Sequence, residues 1–226
     1  MKSNQELKNA ALEALKGNWA PAVVGAIFFI FAVCLITSPA YCANMAAFGI
    51  PVFTSINPAL LEVFSGSGML LNLFLLYPLT LGYAVAHNEL LLNGDYGVTR
   101  NTLRQTFTGY LRNVLAMFLS YLFTVLWTLL LIVPGIIKAL AYSLTPFIVK
   151  DNPELSPNQA ISLSVRMMKG HKLDLFCLYL SFAGWFLLCI LTIGVGFLWL
   201  MPYVQTSLAA FYQDVKNEYA YREVTK

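Results

Sequence analysis

Residues able to do chemistry are sparse in this chain, and their spacing limits what they could do together. His87 and Glu89 form an H-x-E triplet, but side chains two positions apart on a helix project about 200° apart and do not converge on one metal ion. Both lie close to the polar end at Asp95, which makes interfacial placement the simple reading. Lys138 is the one charge between Asn113 and Val149. At the centre of a span it would cost about 2.5–3.5 kcal/mol. It avoids most of that by snorkelling toward the outer surface past Gly135; the alternative is a contact with a solute, a headgroup or the Glu62 carboxylate. Asn72 and Gln205 are the other candidate intramembrane polar positions, suited to interhelical hydrogen bonds worth about 0.6 kcal/mol. Asp174, beside His171 and Lys172, reads as an interfacial ion pair.

Motifs for catalysis are not found. GxSxG, HExxH, the P-loop and GxGxxG do not occur, and apolar runs flank Gly194-Val195-Gly196 on both sides. A proton relay needs several buried carboxylates, and the apolar runs offer only Glu89 and Asp174. Cys34, Cys42, Cys177 and Cys189 form no CxxC pair, and three of them fall in apolar runs, where cysteine serves as a small hydrophobe. No catalytic residue, metal site or cofactor is expected.

The elements that position these residues follow from composition. Of 226 residues, 58% are hydrophobic and 11% charged, against roughly 25% charged in soluble domains. One soluble core cannot hide that much apolar surface, so lipid must cover part of it. The apolar segments are Trp19–Thr37, Met69–Leu92, Asn113–Val149 and Leu173–Tyr212. A span takes about 20 residues, so the first two segments are single spans and the last two are each long enough for a pair. Pro134-Gly135 and Gly194-Val195-Gly196 interrupt the long ones and read as tight turns. The fold class is therefore an all-α membrane protein of six transmembrane helices arranged as three helical hairpins.

Basic residues set the orientation. Segments 1–18, 93–112, 150–172 and 213–226 hold 13 of the 14 lysines and arginines, and loop 38–68 holds none. Both termini and these four segments are thus cytoplasmic, with loop 38–68 outside. About 20 polar residues, Glu6 and Glu13 among them, precede the first apolar run, which reads as an uncleaved helix rather than a signal peptide. An amphipathic interfacial helix precedes each hairpin on the cytoplasmic side. In the first, Leu7, Ala11 and Leu15 share a face. In the second, Leu103, Phe107 and Tyr110 oppose Arg100, Arg104 and Gln105. The third offers Ala160, Leu163 and Met167. Ser3 with Glu6 and Ser156 with Gln159 read as capping boxes. The chain is then one integral membrane domain, 1–226, whose hairpin units cover about 3–95, 99–151 and 156–214.

With the hairpins located, the strings Leu130-Leu-Ile-Val-Pro-Gly-Ile-Ile-Lys-Ala-Leu-Ala-Tyr-Ser143, Asp151-Asn-Pro-Glu154, Met167-Met-Lys-Gly-His-Lys172 and Ala209-Ala-Phe-Tyr-Gln-Asp214 carry a family resemblance. Leu12-Glu-Ala-Leu-Lys-Gly-Asn-Trp19 and Pro78-Leu-Thr-Leu-Gly-Tyr83 fit the same pattern. The sequence resembles the bacterial integral-membrane family called domain of unknown function 975. The resemblance implies the bacterial cytoplasmic (inner) membrane and brings no assigned activity.

The expected role is a non-enzymatic structural or accessory membrane component that binds lipid or a partner protein, or associates with its own copies. A small-solute transporter or channel is the alternative, and a lipid-modifying membrane enzyme the third reading. Anionic lipid at the cytoplasmic face is the expected partner, with Arg100, Arg104, Arg166 and Lys169 as headgroup contacts. Nucleic acid is not a partner, because the cations form no dense stripe. The topology has a direct test. A cysteine probe placed at Ser55 should be labelled from outside intact cells, and one at Ser162 spared; outside labelling at Ser162 overturns the orientation.

Overall fold

The computed structural model describes residues 2–47, 71–94 and 97–224, and every regular element within them is helical. The chain opens with α1 (Asn4–Leu15) and α2 (Trp19–Ala47). A π-helical turn (Asn72–Leu76) then leads into α3 (Tyr77–Asn93), followed by α4 (Val98–Phe107), α5 (Tyr110–Leu130), α6 (Ile132–Tyr142) and α7 (Thr145–Asp151). The last group is α8 (Pro157–Met167), α9 (Lys172–Leu180), α10 (Ala183–Leu191) and α11 (Phe197–Val224).

Four stretches are long and apolar enough to cross a membrane: Trp19–Thr37, Tyr110–Leu130, Ile132–Asp151 and Lys172–Leu191. They are also the poorly covered ones, 17%, 17%, 39% and 22% buried. Large apolar side chains such as Leu129, Ile132 and Leu191 stand largely exposed on them. By contrast α3 is buried along most of its length and packs against α4, α11, α5, α7 and α2 through the core. The inner length of α11 is equally covered, with Ala209, Phe211 and Tyr212 nearly inaccessible. The Phe147 ring stacks on Tyr212 with centroids 4.9 Å apart. An apolar, outward-facing set of helices therefore surrounds α3 and α11.

The leading helices form where the caps place them. Ser3 accepts from the Glu6 amide while Glu6 returns to the Ser3 amide, and Ser156 and Gln159 do the same at α8, satisfying donors that a helix start leaves open. In α1 the buried residues are Leu7, Ala11 and Leu15. Each leading helix ends at a glycine in the left-handed region: Gly17 (φ 82°) after α1, Gly109 (φ 71°) after α4 and Gly170 (φ 96°) after α8. That conformation costs an L-residue about 1 kcal/mol or more, so glycine there lets the chain turn sharply into the next apolar helix.

In α4 the expected opposition of apolar and basic residues does not hold, because Leu103, Phe107, Arg100 and Arg104 share the exposed side while Gln105 is buried. The buried residues of α4 are Val98, Asn101, Thr102, Gln105 and Thr106, whereas Leu103 is 40% and Phe107 63% exposed. The cause is the close approach of α3: a Cβ on Gly82 would lie 2.5 Å from the Thr102 carbonyl oxygen and 2.3 Å from Thr106 Oγ1. Small hydroxyl residues fit against that glycine; leucine and phenylalanine do not.

The turns and the outer loop also differ from expectation. The chain reverses at extended Leu131 (φ −159°), not at Pro134-Gly135. Pro134 sits in the first turn of α6, where its missing N–H leaves no bond unmade. Gly135 serves contact with α5, because a Cβ there would meet the Thr128 Cα at 2.7 Å. The second turn does fall on the glycines, with Gly194 at φ 85°. Helix α2 continues to Ala47, so the first part of loop 38–68 is helical, and 48–68 lies outside the described residues.

The α3–α4 contact is testable by Gly82→Ala. The added methyl meets backbone, which cannot swing aside, so a loss of about 1–3 kcal/mol is expected as a lower melting temperature in detergent. Gly184→Ala, where a Cβ meets nothing within 4 Å, should leave melting unchanged or slightly raised.

Candidate functional site

Many polar groups of this molecule gather where ends of α3, α4, α5 and α7 meet the middle of α11. Gln105 donates to the Glu89 carboxylate from the buried side of α4. Gln213 donates to Asn88 Oδ1 at 2.8 Å, joining α11 to α3. Tyr212 donates its hydroxyl to Asp151 Oδ2 at 2.7 Å, and Lys216 pairs with the same oxygen. Arg112 donates to the Val149 carbonyl at 2.8 Å and to the Pro153 carbonyl, closing the end of α7. Asn113 donates to the carbonyls of Gln105, Thr106 and Thr108 at 3.2, 3.3 and 3.0 Å, which caps the open end of α4. Lys150 lies within electrostatic range of Glu89, Arg104 and Arg112. Most of these bonds tie one helix to another.

A second cluster surrounds His171, which is 7% exposed. Its Nδ1 faces Asp174 Oδ2 at 3.3 Å, and its Nε2 faces Glu218 Oε1 at 3.5 Å and an Arg222 nitrogen at 3.3 Å. The ring sits directly after the Gly170 joint and fastens it to α11. The Asp174–His171 pairing is the expected one; the α11 side of the cluster has no local sequence signal, since Glu218 lies far along the chain.

His87 is fully buried, its Nδ1 2.9 Å from the Tyr83 carbonyl of its own helix and its ring edge-on to Tyr83. Glu89 turns instead to Gln105, so the two members of the triplet point apart. Among the described residues, no group of three or more His, Cys, Asp or Glu is placed to hold a metal ion.

Of the expected intramembrane positions, Lys138 and Gln205 do not converge. Lys138 Nζ lies 4.7 Å from the centroid of the Trp127 ring. Its stem leads back toward the Leu131 turn, the direction in which side chains on a helix lean. Gln205 lines a cavity of about 170 Å³ with Phe29, Tyr83 and Phe197, and its Oε1 is buried without a hydrogen-bond partner among the described residues. Lys138 does not line that cavity. Asn72 opens the π-helical turn, while its side chain lies outside the described residues, as does Glu62.

The expected headgroup cations are all exposed. Arg100 and Arg104 project from α4 on the side that also bears Leu103 and Phe107. Arg166 lies in the last turn of α8 at the edge of a cleft of about 550 Å³, and Lys169 follows just before the Gly170 joint. Sequence reasoning missed Gln105 and Asn113 as buried groups. The signal was available: Asn101 with Gln105, and Thr102 with Thr106, repeat at the spacing of one helix face.

A family model described as protein of unknown function (DUF975) matches residues 106–219. It spans α5 to α10 and most of α11, and so takes in Arg112, Lys138, Arg166, Lys169, His171 and Gln205. No curated protein and no solved structure matches the chain.

Lys138 offers the sharpest single-residue test. A cation over an exposed ring contributes about 0.5–1 kcal/mol, so Lys138→Met should leave expression intact and cost no more than that in detergent melting. Lys138→Glu should do worse, because a shorter acidic stem snorkels poorly. A larger loss in the Met variant would show that Lys138 serves a site beyond the Trp127 ring.

Proposed function

We propose, for a chain that belongs to the family of proteins of unknown function DUF975, a non-enzymatic accessory role in the bacterial cytoplasmic membrane, exercised by holding anionic lipid at the inner face. The observation that carries this reading is the exposed side of α4. A helix that buries Thr102, Gln105 and Thr106 and presents Leu103 and Phe107 outward beside Arg100 and Arg104 suits an interface, with apolar side chains in the acyl region and guanidinium groups at phosphate level.

The same reading has six spans. The four apolar stretches supply four. The π-helical turn with α3, and α11, supply two more that are covered by neighbours and therefore tolerate polar residues. Each of the 13 basic residues in the segments read as cytoplasmic can contribute about 1 kcal/mol near an anionic leaflet before screening. Both termini lie inside on this reading, and the exposed apolar ring is covered by lipid, a partner or another copy.

A transporter is the second reading, favoured by a cleft of about 390 Å³ between α3, α5 and the α6–α7 junction. Two departures from regular helix meet there, the π-helical turn and the break at Ser143-Leu144, and solute sites often use such breaks. No charged side chain lines it, which favours the accessory reading.

The lipid reading is tested by changing Arg100, Arg104, Arg166 and Lys169 together to Gln. Native mass spectrometry of protein extracted from mixed phosphatidylglycerol and phosphatidylcholine bilayers should then show fewer retained phosphatidylglycerol molecules. Unaltered retention would sink it.

A further inference from the structure

The cleft beneath Arg166 has the layout of a single amphiphile site. Its walls come from three helices: Phe123 on α5, Tyr142 at the end of α6, and Ile161 and Val165 on α8. Along α8 a second row, Asn158, Ser162 and Arg166, also borders the opening. These three are spaced four apart and so lie on one helix face, beside the Ile161–Val165 row. The cleft is therefore apolar within and polar along one rim. Its volume of about 550 Å³ falls among ligand sites of roughly 300–1,000 Å³.

The α8 helix is held firmly over this cleft. Where α6 breaks into α7, the carbonyl of Ala141 accepts the Ser164 hydroxyl at 2.7 Å, and Ile161 packs with Ala141 and Tyr142. The capping box fixes the start of the helix and the Gly170 joint its exit. Arg166 is the one charged residue bordering the cleft, no carboxylate lines it, and among the described residues its guanidinium makes no hydrogen bond or ion pair. An unmatched guanidinium over an apolar cleft calls for an anionic head on an apolar tail.

We propose that this cleft binds one anionic phospholipid of the inner leaflet, its phosphate on Arg166, its polar backbone along Ser162 and Asn158, and an acyl chain between Phe123 and Tyr142. The proposal rests on the lipid reading given above and narrows it from a cationic face to one site. Arg is suited to the phosphate because its planar fork can engage two oxygens at once. The apolar walls distinguish this occupant from a free anion, which would leave them unfilled.

The experiment uses the full chain in detergent carrying a limiting amount of phosphatidylglycerol, read by native mass spectrometry. Arg166→Gln should lose the most tightly held lipid, a drop of one lipid mass. Arg166→Lys should recover it in part. Val165→Trp, which fills the cleft without changing charge, should lose it too, whereas Arg100→Gln with Arg104→Gln should lower the number of more weakly held lipids and keep this tightest one. Detergent melting checks that each variant is folded; Arg166 is exposed, so its variants carry the test even if the tryptophan variant fails to fold.

Loss only in the α4 double variant, with Arg166→Gln unaffected, would overturn this site while leaving the lipid reading standing. Equal retention of phosphatidylcholine, or displacement of the lipid by inorganic phosphate, would overturn the assignment of an anionic lipid. If the parent protein retains no lipid at all, both readings fall.

Discussion

Where α3 crosses α4, the only side chain at position 82 is a hydrogen, and the Thr102 carbonyl occupies the space a methyl would need. That approach determines which way α4 faces. Thr102 and Thr106 fit there because each hydroxyl donates back to a carbonyl of its own helix, at 2.8 and 2.7 Å, so packing them leaves no donor unmet. Gln105 is then carried to Glu89, and Asn113 to the carbonyls at the helix end. The cations and large apolar residues of α4 are left on the outside. The polar tie at the helix ends and the proposed lipid face are two sides of one contact.

The three leading helices are variations on one joint, and their anchoring differs. α8 is stapled to its own unit through Ser164 and Ala141. α1 is tied to the far end of the chain: the Lys2 amide donates to Asp214 at 2.7 Å, and Lys8 Nζ donates to the Ser181 carbonyl at 2.9 Å while lying 4.2 Å from the centre of the Phe182 ring. The first unit therefore closes on the third. α11 contacts α1, α2 and α3, so the beginning and end of the chain share one core.

How much of this is legible in the sequence depends on how local the cause is. The capping boxes at Ser3 and Ser156 are legible because a cap involves four consecutive residues. The apolar stretches and the glycine turn at 194 are legible for the same reason. The face of α4 is not, because the rule that apolar residues turn inward assumes water outside; against a bilayer either face can turn inward, and Gly82, sixteen residues or more from the α4 face, decides. Pro134-Gly135 misleads because both residues suit a turn, a helix start and a close contact alike. Trp127 as the partner of Lys138 requires knowing where the chain reverses, and Leu131 has no turn signature. His87 looks like a boundary residue by polarity alone, yet α3 is covered on so many sides that its imidazole is packed away. The cleft under Arg166 combines side chains from three helices and has no single-segment trace.

The uneven covering of the helices also bears on how the chain is made. α3 carries His87 and Asn88, and α11 carries Gln205, Thr206, Ser207 and Gln213, polar groups that are costly to expose to lipid before their neighbours cover them. On the six-span reading, α3 leaves the ribosome with only α2 to shelter it, through the stack of Phe29 on Tyr83 at 4.4 Å. It must wait for α4 to cover Gly82. α11 is synthesised last and enters a slot already lined by α1, α2 and α3. Biogenesis is then a sequence of dockings more than a series of independent insertions, and a nascent chain halted after α10 would hold α3 uncovered along the side reserved for its final neighbour.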